Sequence, residues 1–237
     1  MMMKLSSPMN AIGRRTYATA TATQRLLNHT GASIPVIKGP MYPGSNPELV
    51  AAVSEAGGFG VVQPISLTHL YGHDFREGLR LIKSLTSQPF GVNFTIVPNK
   101  KYQKQMDEWM DIAIDEGIKF FLTSLGKPDK IVRKAEKHNI VVYHDVHTPE
   151  VAVKAAGAGV HGLNCLNSSM GGQTGAFRPE PHKALLPMRP HTAFVVCSVF
   201  HHVRQATEMQ RPSSESYSPP VSTCHSFRQA VSEMLRI

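Results

Sequence analysis

From Ile34 to Asn164 the chain alternates short apolar runs with helical patterns at intervals of about 20 to 30 residues, and this rhythm constrains the fold more than any other feature. The first run, Ile34 to Ile37, ends at Gly39-Pro40-Met41. Asn46 then supplies an N-cap and Pro47 a first-turn proline, with Leu49, Val50 and Val53 on one face and Gly57-Gly58 as the stop. Phe59 to Val62 reads as the second strand and Phe90 to Phe94 as the third, with a helix between them capped by Asp74. Tyr102, Met106, Trp109, Met110 and Ala113 fall at helical spacing up to Gly117, and this places Trp109 between helix and sheet. Lys119 to Thr123, Val141 to Tyr143 and Val160 to Asn164 are strands four to six; the helix before the sixth opens at Thr148-Pro149-Glu150 and closes at Gly157. Short apolar strands separated by amphipathic helices belong to a parallel sheet covered on both faces. Their even spacing points to a (β/α)₈ barrel of the TIM type. No Gly-x-Gly-x-x-Gly follows any strand, so a dinucleotide-binding open sheet has no support.

The repeat then stops short. Six units consume residues 34–175, and a complete barrel needs two more. The 62 residues after Gly175 contain none of the chain's 18 glycines, where about four are expected at average usage. They carry prolines at 179, 181, 187, 190, 212, 219 and 220. Thr192 to Phe200 offers a seventh strand and Phe227 to Leu235 a short helix, but nothing supplies an eighth strand. The expected organisation is a basic N-terminus over 1–30, a partial barrel over 31–177 after about six βα units, and an atypical tail over 178–237.

The formal charge of +8 over 237 residues suggests nucleic acid until it is divided along the chain. Residues 1–47 hold five basic groups and no acid, residues 48–177 thirteen of each sign, and residues 178–237 seven basic and four acidic groups. A body with no net charge offers no stripe for a phosphate backbone, which argues against nucleic acid as a partner. No run approaches the length of a membrane span, and three scattered cysteines make no disulfide framework. The acid-free, Arg- and Ser/Thr-rich start has the character of an organelle transit peptide. Arg15-Thr16-Tyr17-Ala18 matches the kind of site where mitochondrial presequences are cut. The expectation is a mitochondrial matrix protein beginning near Ala18; the alternative is a cytoplasmic chain with a plain basic N-terminus.

Barrel chemistry sits at the C-terminal ends of strands. Four such ends are distinctive: Lys38 to Gly44, Gly91-Val92-Asn93, Thr123 to Pro128, and Asn167 to Gly175. Their glycines let backbone amides approach a flat ring or an anion. Other constellations read as structure. His144 and His147 straddle a strand end and a helix cap and need not converge on a metal, so no metal site is expected. His201 and His202 point apart, and Cys165 is a small buried apolar residue inside the sixth strand.

The segments IPVIKGPM, NPELVAAVSEAGGFG, LTSQPFGVNF and GVHGLNCLNSSMGGQTG resemble the FMN-dependent nitronate monooxygenases, formerly called 2-nitropropane dioxygenases, over residues 34–175. The same barrel family includes FMN-dependent enoyl-carrier-protein reductases. The resemblance implies FMN across the barrel mouth, with the backbone of Gly39, Pro40 and Met41 facing its ring, the Asn93 amide bonded to it, and Gly171-Gly172 completing the pocket. It also implies electron transfer from an alkyl nitronate or nitroalkane, with O₂ as the reoxidant.

Two departures stand out. The family's catalytic histidine in the Gly-Gly-His pattern corresponds to Gln173, whose amide cannot act as a base. A nitronate arrives already deprotonated, so neutral nitroalkanes suffer more from this change. His144 is the nearby imidazole that could substitute, against its reading as a polar group packed at the barrel mouth. The family's phosphate-binding segments, glycine-rich after the seventh strand and Gly-Thr-Arg-Phe-like near the eighth, have no counterpart here, so weak FMN binding is expected. The leading expectation is therefore a nitronate-oxidising flavoprotein. The alternatives are a non-catalytic truncated barrel unable to hold FMN, and an FMN-dependent enoyl-thioester reductase.

Overall fold

The sequence alternation becomes, in a computed structural model that describes residues 23–42, 44–166 and 193–196, a parallel sheet with strands in chain order. The strands are β1 (Ile37–Lys38), β2 (Phe59–Val62), β3 (Phe90–Thr95), β4 (Phe120–Ser124), β5 (Val141–Val146), β6 (Gly162–Cys165) and β7 (Ala193–Val196). A helix α1 over residues 23–30 precedes them. The crossovers are α2 (Pro47–Glu55), α3 (Phe75–Leu85), α4 (Lys100–Asp115), α5 (Asp129–Glu136) and α6 (Pro149–Gly157). Each of four helices starts at the residue that can satisfy its free amides. Asn46 accepts from Leu49, Asp74 from Arg76 and Glu77, Asn99 from Tyr102, and Thr148 from Val151. Gly57 and Gly117, at φ of 90° and 74°, end two helical segments in the left-handed region.

The fold is a curled partial (β/α) barrel of six parallel strands and five crossover helices among the described residues, to which β7 adds a strand inside the stretch Thr192 to Phe200. Two details differ from expectation. β1 forms later than Ile34 because the amides of Ser33 and Ile34 both turn to the Gly57 carbonyl, and Val36 closes a tight turn on Ile34. A π-helical turn, Ser66–Leu70, intervenes between β2 and α3. Among the described residues no helix is long and apolar enough to cross a membrane.

Strand alternation divides the apolar residues into two layers. Outside the sheet, Val62, Val92, Phe94, Phe121, Val142, Val146, Leu163 and Cys165 pack against the helices, with Trp109 of α4 among Phe75, Tyr102 and His69. Inside, Phe59, Val61, Phe120, Leu122 and Tyr143 form a second cluster together with Leu26 of α1. Helix α1 thus closes the end of the barrel at which the strands begin, and His29 on the same helix bonds the Tyr143 hydroxyl at 3.0 Å. Phe59 and Phe120 belong to strands separated by β3, yet their rings meet at 4.8 Å. Neighbouring strands are about 4.8 Å apart, so two strands of a flat sheet would lie roughly twice that distance from each other. The sheet therefore curls inward at β3, where Gly91 leaves room for both rings.

Candidate functional site

The inner layer changes character along the barrel axis. Phe59, Gly91, Phe120 and Tyr143 fill the end closed by α1, but the same inward alternation ends in polar groups at the C-terminal edge. Thr95 pairs with Ser124 and Asp145 with Asn164 in the strand register, which makes one row across β3 to β6. The row is hydrogen-bonded throughout. Ser124 Oγ lies 2.7 Å from Asp145 Oδ2, Asn164 Nδ2 donates to Asp145 Oδ1 at 2.6 Å, and Asn93 bridges Ser124 at 3.0 Å and Thr95 at 3.2 Å. Among the described residues, both carboxylate oxygens of Asp145 meet neutral donors and no cation. Burial pushes this carboxyl up to about 6, against the smaller pull of the Ser124 and Asn164 hydrogen bonds.

Two acceptors in the mouth have no partner among the described residues: Oδ1 of Asn164, a residue only 8% exposed, and Oε1 of Gln63, one residue past β2. Buried carbonyl oxygens without donors are costly, and their position at strand ends suits a ligand that brings N–H groups.

The segment after β1 is held from beneath. The Lys38 side chain is buried, its amine donating to Ser45 Oγ at 2.6 Å and to the Val61 carbonyl at 3.3 Å. Ser45 Oγ in turn accepts from the Met41 amide at 2.8 Å, while Ser66 donates to the Met41 carbonyl at 3.5 Å. With no acid beside it, burial lowers the Lys38 amine to about 7. A Cβ on Gly39 would meet nothing within 4 Å, so the backbone there borders open space.

The sequence-selected residues distribute as follows. Gly39, Pro40 and Met41 lie at the mouth, partly exposed after β1. Asn93 is there too but is 2% exposed, with both ends of its amide engaged by Ser124 and Thr95. His144 points the other way. It shares the outer face of β5 with Val142 and Val146, is 1% exposed, and its Nδ1 lies 2.8 Å from Thr123 Oγ1. Thr123 spends its single proton on the Tyr143 carbonyl, so the His144 ring donates from Nδ1. Burial depresses this imidazole to about 4. It is the alternation of β5 that sends Asp145, and not His144, to the mouth. Gly171, Gly172 and Gln173 fall outside the described residues. Cys165 is buried on the outer face, and burial holds its thiol up to about 12. Among the described residues no three His, Cys, Asp or Glu side chains gather as a metal site would require.

Asp145, Ser124, Asn164 and Lys38 as a support were not singled out by the sequence reading. Counting by twos from Val141 would have found Asp145, since inward Tyr143 fixes the parity. Lys38 gave no signal, because a lone lysine at a strand end reads as solvated.

The profile of the family described as nitronate monooxygenase matches residues 23–180. Nitronate monooxygenase of Pseudomonas aeruginosa is 27% identical over 192 residues, covering 67% of this chain and 54% of that protein. An octahydro-indene-carboxyl-CoA dehydrogenase of Rhodococcus jostii is 25% identical over 168 residues, covering 71% and 44%. The chain thus spans about half the length of the curated relatives it matches. Among solved structures, a mutant of FabK from Thermotoga maritima superposes with a TM-score of 0.60 at 23% identity over 71% of this chain and 55% of its own. Nitroalkane oxidase from Streptomyces ansochromogenes gives 0.53 at 22% identity, over 64% and 51%. These likenesses share the barrel fold. With its family profile matched from α1 past β6, the chain belongs to the nitronate monooxygenase family.

Proposed function

We propose that this chain is an FMN-dependent oxidoreductase that oxidises alkyl nitronates with O₂. The observation that carries the reading is the polar rim at the C-terminal strand ends, set above an apolar barrel interior, in a chain of this family. The described residues fit the ring of a flavin. Open space borders Gly39, and the unpartnered carbonyls of Asn164 and Gln63 accept from N–H groups. Gly39, Pro40 and Met41 would lie against the ring, with Asn93, held by Ser124 and Thr95, beneath it. The cofactor, when bound, supplies the electron acceptor that the protein's own side chains lack and passes those electrons to oxygen.

The chain's residues do the rest. Lys38 and Ser45 hold the Gly39–Met41 backbone in place, so that face is set before any ligand arrives. The row from Thr95 to Asn164 fixes the polar edge by hydrogen bonds between neighbouring strands, which are more rigid supports than loops. The phosphate end of the cofactor would fall to residues beyond β6. Because no glycine follows Gly175, a weak phosphate grip is expected there.

The test is a titration of the purified full chain with FMN and with riboflavin, followed by anaerobic addition of ethyl nitronate. Weak binding of both flavins in the titration, FMN and riboflavin about equally, and bleaching of the bound flavin by nitronate are the expected results. Bleaching by NAD(P)H and not by nitronate would assign an enoyl-thioester reductase. A chain that binds neither flavin in the titration would be a non-catalytic barrel.

A further inference from the structure

Of the strand residues facing into the barrel among the described residues, Tyr143 and Asp145 alone titrate. Tyr143 sits at the closed end, bonded to His29, and burial raises its phenol above its ordinary value. Asp145 is at the open end, partly exposed, next to the last residue of β5. Its strand neighbours β6, the strand that Gln173 follows in the chain. Asn164, on β6 itself, uses its amide nitrogen on Asp145 and leaves its carbonyl without a partner in the same mouth.

We propose that Asp145 is the catalytic base that extends this site to neutral nitroalkanes, accepting the proton from the carbon next to the nitro group. The proposal rests on the nitronate-oxidising reading of the site. In the step, the C–H bond breaks and its electron pair moves into the carbon–nitrogen bond. A nitro oxygen takes up the negative charge, and the proton forms an O–H bond on the Asp145 carboxylate. Nothing is oxidised or reduced, and the product is the nitronate. The carboxyl then returns its proton to water at the mouth.

The surroundings suit the role. Among the described residues, the groups facing Asp145 are Ser124 from β4 and Asn164 from β6, both neutral. On its own strand, His144 is turned to the outer layer, where it meets Thr123. Lys38 is tied beneath the segment after β1. A carboxylate raised to about 6 by burial is a stronger base than one in water, and it is ionised at neutral pH. The relay has two settings. Ser124 has one proton and two acceptors in reach, Asp145 at 2.7 Å and Asn93 at 3.0 Å. When Asp145 is ionised the hydroxyl turns to it; when Asp145 is protonated it donates to Ser124, and Ser124 donates to Asn93.

Exchange of the nitroethane methylene protons in D₂O, followed by proton NMR, reads this step on the full chain without flavin. The expected result is exchange accelerated at least about tenfold over Asp145→Asn, rising with pH through an inflection near 6. Ser124→Ala, which removes a hydrogen bond to the carboxylate, moves that inflection to higher pH, as a purely structural serine would not. Exchange no faster than buffer, equal exchange in Asp145→Asn, or a parent profile with no inflection near 6 would overturn the proposal. The last measurement needs no variant to fold. Exchange without bleaching by nitronate would keep Asp145 as the base and remove the oxidase reading; bleaching without exchange would do the reverse.

Discussion

Asp145 Oδ2 stands 2.7 Å from the Ser124 hydroxyl, across two strands whose side chains reach the open end of the barrel in register. This contact joins a carboxyl held near 6 to a proton carrier, in a site otherwise made of amides and hydroxyls.

The burial of this carboxyl has a stability consequence. The folded chain keeps the Asp145 proton to about pH 6, whereas an unfolded aspartate loses it near 3.8. Folding is therefore least opposed by this group below 3.8, and stability falls as pH rises from there to 6. Asp145→Asn removes that cost, and it is expected to be about 1 to 2 kcal/mol more stable than the parent at pH 7 after allowance for its partial exposure. Urea denaturation of both chains at pH 4 and pH 7 checks it; the gain is expected at pH 7 only.

Lys38 gives the opposite case of a cation without an anion. Its folded value of about 7 lies below the ordinary 10.5, so the unfolded chain binds its proton more tightly. Stability is lost as pH falls from 10.5 to 7, at up to about 1.4 kcal/mol per pH unit. Lys38→Met is expected to flatten that slope relative to the parent. The difference between the two chains in urea midpoint across pH 7 to 10 is the measurement.

His144 is expected to act on acid stability. Its folded value of about 4 against an ordinary 6.5 means that its contribution is whole above 6.5 and is lost as pH falls to 4. His144→Gln is expected to cost about 1 kcal/mol at pH 7 through the contact with Thr123, and to lose less stability than the parent between pH 6.5 and 4. Thermal melts by circular dichroism over that window decide it.

Gly91→Ala tests the inward curl of the sheet. The added methyl would meet Phe120 and Phe59 ring carbons at 2.9 Å each, tighter than real contacts allow. Both rings are buried and held against each other, so neither can swing away. A loss of about 1 to 3 kcal/mol is expected, read as a lower urea midpoint with the slope unchanged.

Much of this molecule follows from local sequence. Asn46-Pro47, Asp74 and Thr148-Pro149 start helices where their side chains can reach free amides, and Gly57 and Gly117 stop helical segments where φ must turn positive. Those are interactions between residues a few positions apart, so the alternation of elements, and with it the barrel class, is written along the chain. The mouth is different. Asp145, Ser124 and Asn164 lie on separate strands, and only their register puts one hydroxyl and one amide on the two oxygens of one carboxyl. Whether His144 or Asp145 faces the mouth is a matter of parity along β5, and one residue of slip would exchange them. Lys38 owes its lowered basicity to burial, and neither that burial nor its contacts with Ser45 and the Val61 carbonyl are visible in the residues beside it. Backbone propensity and capping act locally, whereas desolvation and cross-strand hydrogen bonds exist only once distant segments have packed.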